Sequence, residues 1–209
     1  MMKYETLFSH ERLRKFNGFD DYLNNIAYSQ SHYARLHLIE VALRNKINTV
    51  LVNKFELDWL INIEKIHSFF TQDSISIIKN THQKLLNDKS IVTNGDIVSN
   101  LTFGFWVSLF SKRYYKNFTT KEIKSIFNIS RNLINESKLS GIYHDLAAIK
   151  NFRNRIFHYE KVNNHQSYRN IEQLLDKYLK LIDVDNILSN SIRDIQQKIS
   201  YSNTIGQEI

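Results

Sequence analysis

The sequence predicts an all-α fold, and three observations carry that reading. The chain has 209 residues with no proline and only five glycines, so the residues that punctuate strands and tight turns are scarce. Its apolar residues recur at intervals of three and four, the spacing of one helix face. With 42% hydrophobic and 12% aromatic residues it can bury a sizeable core. No internal repeat, low-complexity tract or linker divides it, so a single helical domain over 1–202 is expected, with a disordered tail at 203–209.

In chain order, Leu36, Ile39, Leu43, Ile47 and Val50 mark one face of a helix over 28–52. His37, Glu40, Arg44 and Asn48 return to a narrow polar stripe of the same helix, because steps of three and four come back to one side. A Trp-bearing stretch, 56–70, reads as a short helix and connection. A helix over 72–86 follows, and 87–95 reads as a loop with its turn at Asn94-Gly95. The most apolar helix is expected over 96–110, with Gly104 allowing close backbone approach. Thr119 and Glu122 have capping-box spacing and open a helix running toward Leu139. A break is expected near Ser140-Gly141, with His144-Asp145 as a helix-start feature before the segment ending at His158. Ile171, Leu174, Leu175, Tyr178 and Ile182 define a helix over 168–182, and residues 183–186 separate it from a last amphipathic helix through Ile199.

Composition excludes several function classes. There is no cysteine, so disulfide frameworks and thiolate metal sites are out. No charged segment followed by an apolar stretch opens the chain, which sets a cytoplasmic location as the expectation. The longest apolar stretch, 101–110, is about half the roughly 20 residues that span a bilayer, so no membrane partner is expected. Gly-rich phosphate loops, His-Glu-x-x-His pairs and Gly-x-Ser-x-Gly elbows are missing. His32 and His37, five residues apart, do not share a helix face. No metal and no cofactor are therefore expected.

The formal charge of +7 is unevenly spread. Between Lys112 and Arg131 six basic residues stand against one acid, Glu122. Lys112, Arg113 and Lys116 would meet the phosphate backbone of RNA there, and Tyr114 and Tyr115 would stack on unpaired bases. The competing reading is a solvated helix surface whose tyrosines pack inward.

The segment Arg153-Asn154-Arg155-Ile156-Phe157-His158 carries the chemistry. At 100° per residue Ile149, Phe152 and Ile156 gather on one side, while Asn151, Asn154, Arg155 and His158 lie opposite. Arg153 falls toward the apolar side and needs a carboxylate partner, for which Glu40 is the candidate. A neutral imidazole can take a proton from a ribose 2′-hydroxyl, and a guanidinium stabilises charge on the phosphate. Asn154, one turn before His158, would orient the imidazole or donate to a phosphate oxygen. Taken alone, His158 reads first as a capping or packing histidine, and it is the spacing to Arg153 that favours chemistry.

This segment resembles the Arg-Asn-x-x-x-His signature of HEPN domains, and the chain around it is similar to the Abi-like (abortive infection) branch of that superfamily. Three further stretches carry the likeness, in order across most of the chain: Ser9-x-x-Arg12-Leu13, Glu40-Val41-Ala42-Leu43-Arg44-Asn45 and Leu101-Thr102-Phe103-Gly104-Phe105-Trp106. One departure is His158-Tyr159-Glu160-Lys161, where relatives often read His-His-Glu-Pro, and it bears on a second catalytic histidine.

The resemblance implies a HEPN-like helical bundle with additional helices, forming a homodimer whose motifs face one another across a cleft. It implies a metal-independent endoribonuclease that transfers the phosphate to the 2′-oxygen and leaves cyclic-phosphate and 5′-hydroxyl ends. His158 would move the proton, Arg153 or Arg155 would hold the phosphate and Asn154 would position them, with Glu40, Arg44 and Asn48 in support. It further implies a toxin or antiphage effector whose partners are an RNA substrate and an antitoxin or regulatory RNA or protein. Some HEPN members bind RNA or protein without cleaving.

Overall fold

A computed structural model of the protein describes residues 7–183 and 186–205, which form helices and connections with no strand among them. The first helix, α1 (His10–Leu13), is a single turn capped by Ser9, whose hydroxyl accepts from the Arg12 N–H.

The long helix α2 (Gly18–Phe55) begins well before the expected start. Its buried face runs back through Tyr22, Asn25 and His32. Two of those three are polar, which is why apolar periodicity found only the later part of the helix. Gly18 sits at φ 84°, a conformation that costs glycine little.

After α2 a 3-10 turn at Ile63–Ile66 leads to α3 (Gln72–Asp88), capped by Thr71. Asn94-Gly95 is not a turn. Thr93 and Asp96 form a reciprocal capping box, and Asn94 opens α4 (Asn94–Asn100). The single apolar helix expected over 96–110 is two helices. Leu101 and Thr102 are extended, and the Thr102 hydroxyl takes the Phe105 N–H at 3.2 Å to start α5 (Phe103–Ser108). Gly104 does not mark a close backbone approach either, because a Cβ there would meet Lys150 Cδ and Thr102 Oγ1 at an ordinary 3.6 Å.

The capping box at Thr119 and Glu122 forms as expected and starts α6 (Thr120–Ile126). That helix stops at the extended Phe127, so it does not reach Leu139. The break lies over 127–135 rather than near Gly141. Asn135 caps α7 (Glu136–Phe157) through the Lys138 N–H at 2.9 Å, and the helix passes through an exposed Gly141, a defect of about 1 kcal/mol that such a helix tolerates. His144-Asp145 is therefore mid-helix, where Asp145 accepts from Lys177 at 2.5 Å and from the Tyr178 hydroxyl at 3.2 Å.

The chain closes with α8 (Ile171–Ile182) and α9 (Ile187–Ile205). Asp183 accepts from the N–H groups of Ile187, Leu188 and Ser189 at 2.8, 2.7 and 3.2 Å, anchoring the start of α9. Residues 203–205 of the expected tail are helical, since extending a formed helix costs far less than nucleating one. Residues 206–209 of that tail lie outside the described residues.

α2 is the axis of the fold and packs against α8, α6, α5 and α9, while α7 packs on α5 and α8 and crosses α2. Leu36, Ile39, Leu43 and Ile47 of α2 share one core with Trp106 of α5 and Leu146, Ile149 and Phe152 of α7. Among the described residues no helix is long and apolar enough to cross a membrane.

Candidate functional site

The site is built around the end of α7. His158 N–H donates to the Asn154 carbonyl at 2.9 Å, Tyr159 N–H to Ile156 at 3.0 Å and Glu160 N–H to Arg155 at 2.8 Å. Tyr159 adopts φ 58°. These are the bonds of a Schellman motif, usually closed by glycine. A tyrosine in that conformation stores on the order of 1 kcal/mol, so other contacts must hold it.

Those contacts come from the N-terminal part of the chain. Arg12 donates to the Tyr159 carbonyl at 2.9 Å. Buried Asn25 donates to the Glu160 carbonyl at 3.2 Å, and its Oδ1 accepts from the N–H groups of Val162 and Asn163 at 2.8 and 3.1 Å. Asp21, one turn earlier on α2, accepts from Lys161 at 2.6 Å and from the Asn163 amide at 2.9 Å. Helices α1 and α2 thus fix the backbone that follows His158.

The Lys161 hydrogen bond, with help from the Asn17 N–H, holds the Asp21 carboxyl at about 2, below its ordinary 3.8. A depressed carboxyl stabilises the fold above its unfolded pKa, and that contribution is lost as pH falls through the folded value. The urea midpoint of Asp21→Asn should lie below wild type by a constant amount above pH 4, with the gap closing between pH 4 and 2. A gap unchanged down to pH 2 would show that the pair adds nothing.

The residues of the motif itself splay apart. Arg153 Nε donates to Glu40 at 3.1 Å, the ion pair expected from its helix face, and the guanidinium lies 4.3 Å from the Phe157 ring centre. Asn154 turns its Oδ1 to Arg153 at 3.4 Å, not to the imidazole. Arg155 faces the other way, 3.6 Å from Glu160 and over the Tyr168 ring. His158 is exposed and lines a cleft of about 260 Å³ together with Arg12, Arg14, Lys15 and Lys161. Arg153 does not line that cleft. Asp21, Asn25, Arg14, Lys15 and Lys161 are the site residues that sequence reasoning missed. The only signal was the run Arg12-Leu13-Arg14-Lys15 beside the Ser9-x-x-Arg12 stretch.

Two of the expected supporting residues stand elsewhere. Arg44 donates to the Ser99 carbonyl at 3.3 Å, linking α2 to α4. Asn48 Oδ1 accepts from Trp59 Nε1 at 2.9 Å and from the Asn94 amide at 3.3 Å, so it ties the α2–α3 connection to α4. Both follow from the rise of α2, which carries Arg44 and Asn48 about 6 and 12 Å beyond Glu40 along the axis.

In the basic segment Tyr114 departs from its expected role. Tyr114 is buried with its hydroxyl 2.7 Å from Ser74 Oγ, so it presents no free face to a base, and Tyr115 is half-buried against the core. The tyrosines pack inward because the aromatic cluster of Phe69, Phe70 and Tyr114 fills this end of the core. Lys112 and Lys116 remain exposed, and Arg113 lies 3.6 Å from Asp73. Glu122 of this segment pairs with Lys54 in the last turn of α2, whereas Phe157 stacks near Tyr33 in its first half. Tyr33 and Lys54 are about 30 Å apart along the helix, so the basic segment and the His158 cleft are separate surfaces.

A third surface flanks the motif. Ile26, Tyr33, Phe157 and Tyr159 are exposed, and Ile26, Tyr33 and Tyr159 line a largely apolar groove of about 550 Å³ with Tyr22 and Ile156. Among the described residues no group of three or more His, Asp or Glu side chains is placed to hold a metal ion. Compared with known proteins, the chain matches no family model, no curated protein and no solved structure.

Proposed function

We propose that this protein is a metal-independent endoribonuclease of HEPN type. The carrying observation is an exposed histidine at the end of a rigid 22-residue helix, on the wall of a cleft whose other side chains include three arginine and lysine residues from the N-terminal segment. The imidazole takes the proton of a ribose 2′-hydroxyl, the cations hold the phosphate, and the products are a cyclic phosphate and a 5′-hydroxyl. An antiphage or toxin role, with an antitoxin or regulatory RNA or protein as partner, belongs to the same reading and rests on the sequence resemblance.

The reading includes a homodimer. Acid and base roles are most simply filled by two imidazoles, and the apolar groove beside His158 is the surface that a two-fold contact would cover. Cleavage of total RNA should persist in excess chelator and yield cyclic-phosphate ends, and mixing wild type with His158→Ala should lower activity per wild-type chain. Loss of activity on chelation, restored by a divalent ion, refutes the chemistry; a fully active monomer by light scattering refutes the dimer.

One observation favours the alternative, a non-catalytic RNA-binding or protein-binding HEPN module in phage defence. The Arg153 guanidinium is engaged by Glu40 and Phe157 and lies outside the His158 cleft. Binding of RNA without any cleavage in the same experiment selects it.

A further inference from the structure

The His158 cleft adjoins a second one. That second cleft, of about 380 Å³, shares Lys15, Glu160 and Lys161 with the first and adds Arg155, Asn164 and His165. The two together form a groove along the loop from His158 to His165, with Lys15 at the junction. The cations around it differ in how they are engaged. Arg12 is held by the Tyr159 carbonyl, Arg14 by Glu11, Arg155 by Glu160 and Lys161 by Asp21. Among the described residues, Lys15 alone of these five has no carboxylate or carbonyl partner. It is exposed, so its three N–H donors are open to an incoming anion.

The second cleft offers polar groups suited to a base. Asn164 is exposed at φ 55° and carries both a donor and an acceptor. His165 Nδ1 accepts from the Ser167 N–H at 3.2 Å, so the hydrogen of the neutral ring sits on Nε2, which is then a donor. Pockets of this size with amide and imidazole edges fit a splayed, unstacked base rather than a duplex, whose base edges are stacked and paired.

We propose that this groove is a two-subsite track for single-stranded RNA. The phosphate at the cleavage position lies in the His158 cleft, the adjacent nucleotide lies in the Asn164–His165 cleft, and Lys15 binds the phosphate that links them. Lys15 is then a substrate-positioning residue supplied by the N-terminal segment. The assignment rests on the ribonuclease reading for its catalytic end only, and binding is separable from cleavage.

The test uses the full chain and a fluorescent 2′-O-methyl RNA decamer, which cannot be cleaved by 2′-oxygen attack, with anisotropy measured over a range of salt. Lys15→Gln should weaken binding about fivefold and reduce the slope of log affinity against log salt by about 0.7, the value for one phosphate contact on a single strand. Lys79→Gln, which removes an exposed charge on α3 away from the groove, should do neither. Asn164→Gly keeps the left-handed backbone and removes the amide, and it should reduce the spread of affinities among oligomers of different base. An unchanged slope in Lys15→Gln, an equal loss in Lys79→Gln, or a duplex that binds as tightly as the single strand overturns the track. Cleavage of unmodified RNA that is indifferent to Lys15 overturns the track and leaves the ribonuclease standing. Lys15-dependent binding without cleavage does the reverse.

Discussion

Replacing His158 with alanine is expected to lower RNA cleavage by about 10²- to 10⁴-fold, the usual contribution of a positioned proton-transfer group, while the fold stays intact. The separation of chemistry from stability follows from where the residue stands. His158 ends α7 through its backbone, whose N–H caps the helix at the Asn154 carbonyl, and alanine preserves that bond. The imidazole is exposed, so its removal leaves no buried partner unsatisfied. Single-turnover cleavage in chelator, read beside a thermal melt, checks both halves. A variant that cleaves at the wild-type rate would move the proton transfer to another residue. Arg153→Ala is a poorer probe of catalysis. It strips Glu40 of its guanidinium partner and Phe157 of its stacked cation, so lost activity would be mixed with lost stability.

The second large effect falls on stability. Asn25→Ala is expected to cost about 2–4 kcal/mol, because it removes a buried side chain that accepts from two backbone N–H groups and donates to a carbonyl. For a chain of this size that lowers the melting temperature by roughly 4–16 °C. Asn25→Asp keeps an acceptor for the Val162 and Asn163 N–H groups but sets a carboxylate oxygen against the Glu160 carbonyl, so it should not restore wild-type stability. Urea denaturation gives the magnitude, and a change below about 0.5 kcal/mol would show that the loop is held without Asn25. The same substitution should slow cleavage more than the stability loss accounts for, since the backbone that Asn25 fixes begins two residues after His158.

The all-helical architecture was legible because its signal is distributed. Scarce glycine, no proline and long runs of 3.6-residue periodicity each point the same way, and the faces assigned to Ile149 and Phe152 are buried as read. The boundaries were less legible where a side-chain cap outcompetes continuation. Thr102 and Asn135 restart helices inside segments whose apolar content alone suggests one element, and Gly141 is carried through a helix that its composition seemed to end. In the site, the Arg153–Glu40 pair was readable from angle and charge, since an arginine on an apolar face needs an acid. Asp21 and Asn25 were not. Asn25 satisfies backbone groups and Asp21 pairs with the side chains of Lys161 and Asn163, all about 140 positions away, and no local pattern reports a partner at that separation. Tyr114 illustrates the reverse error, because its sequence neighbours are basic while its ring belongs to the core.

The clamp that α2 places on the His158 loop also sets when the site can exist. Asp21 and Asn25 emerge early in synthesis, and their partners Lys161 and Asn163 are made about 140 residues later, an interval of roughly 7–28 s at common elongation rates. Closing so long a loop is the entropically expensive step of assembly, and until then the Asp21 carboxylate has only the Asn17 N–H nearby in sequence. The cleft around His158 is consequently closed only once residues 160–163 have been made and can meet Asp21 and Asn25.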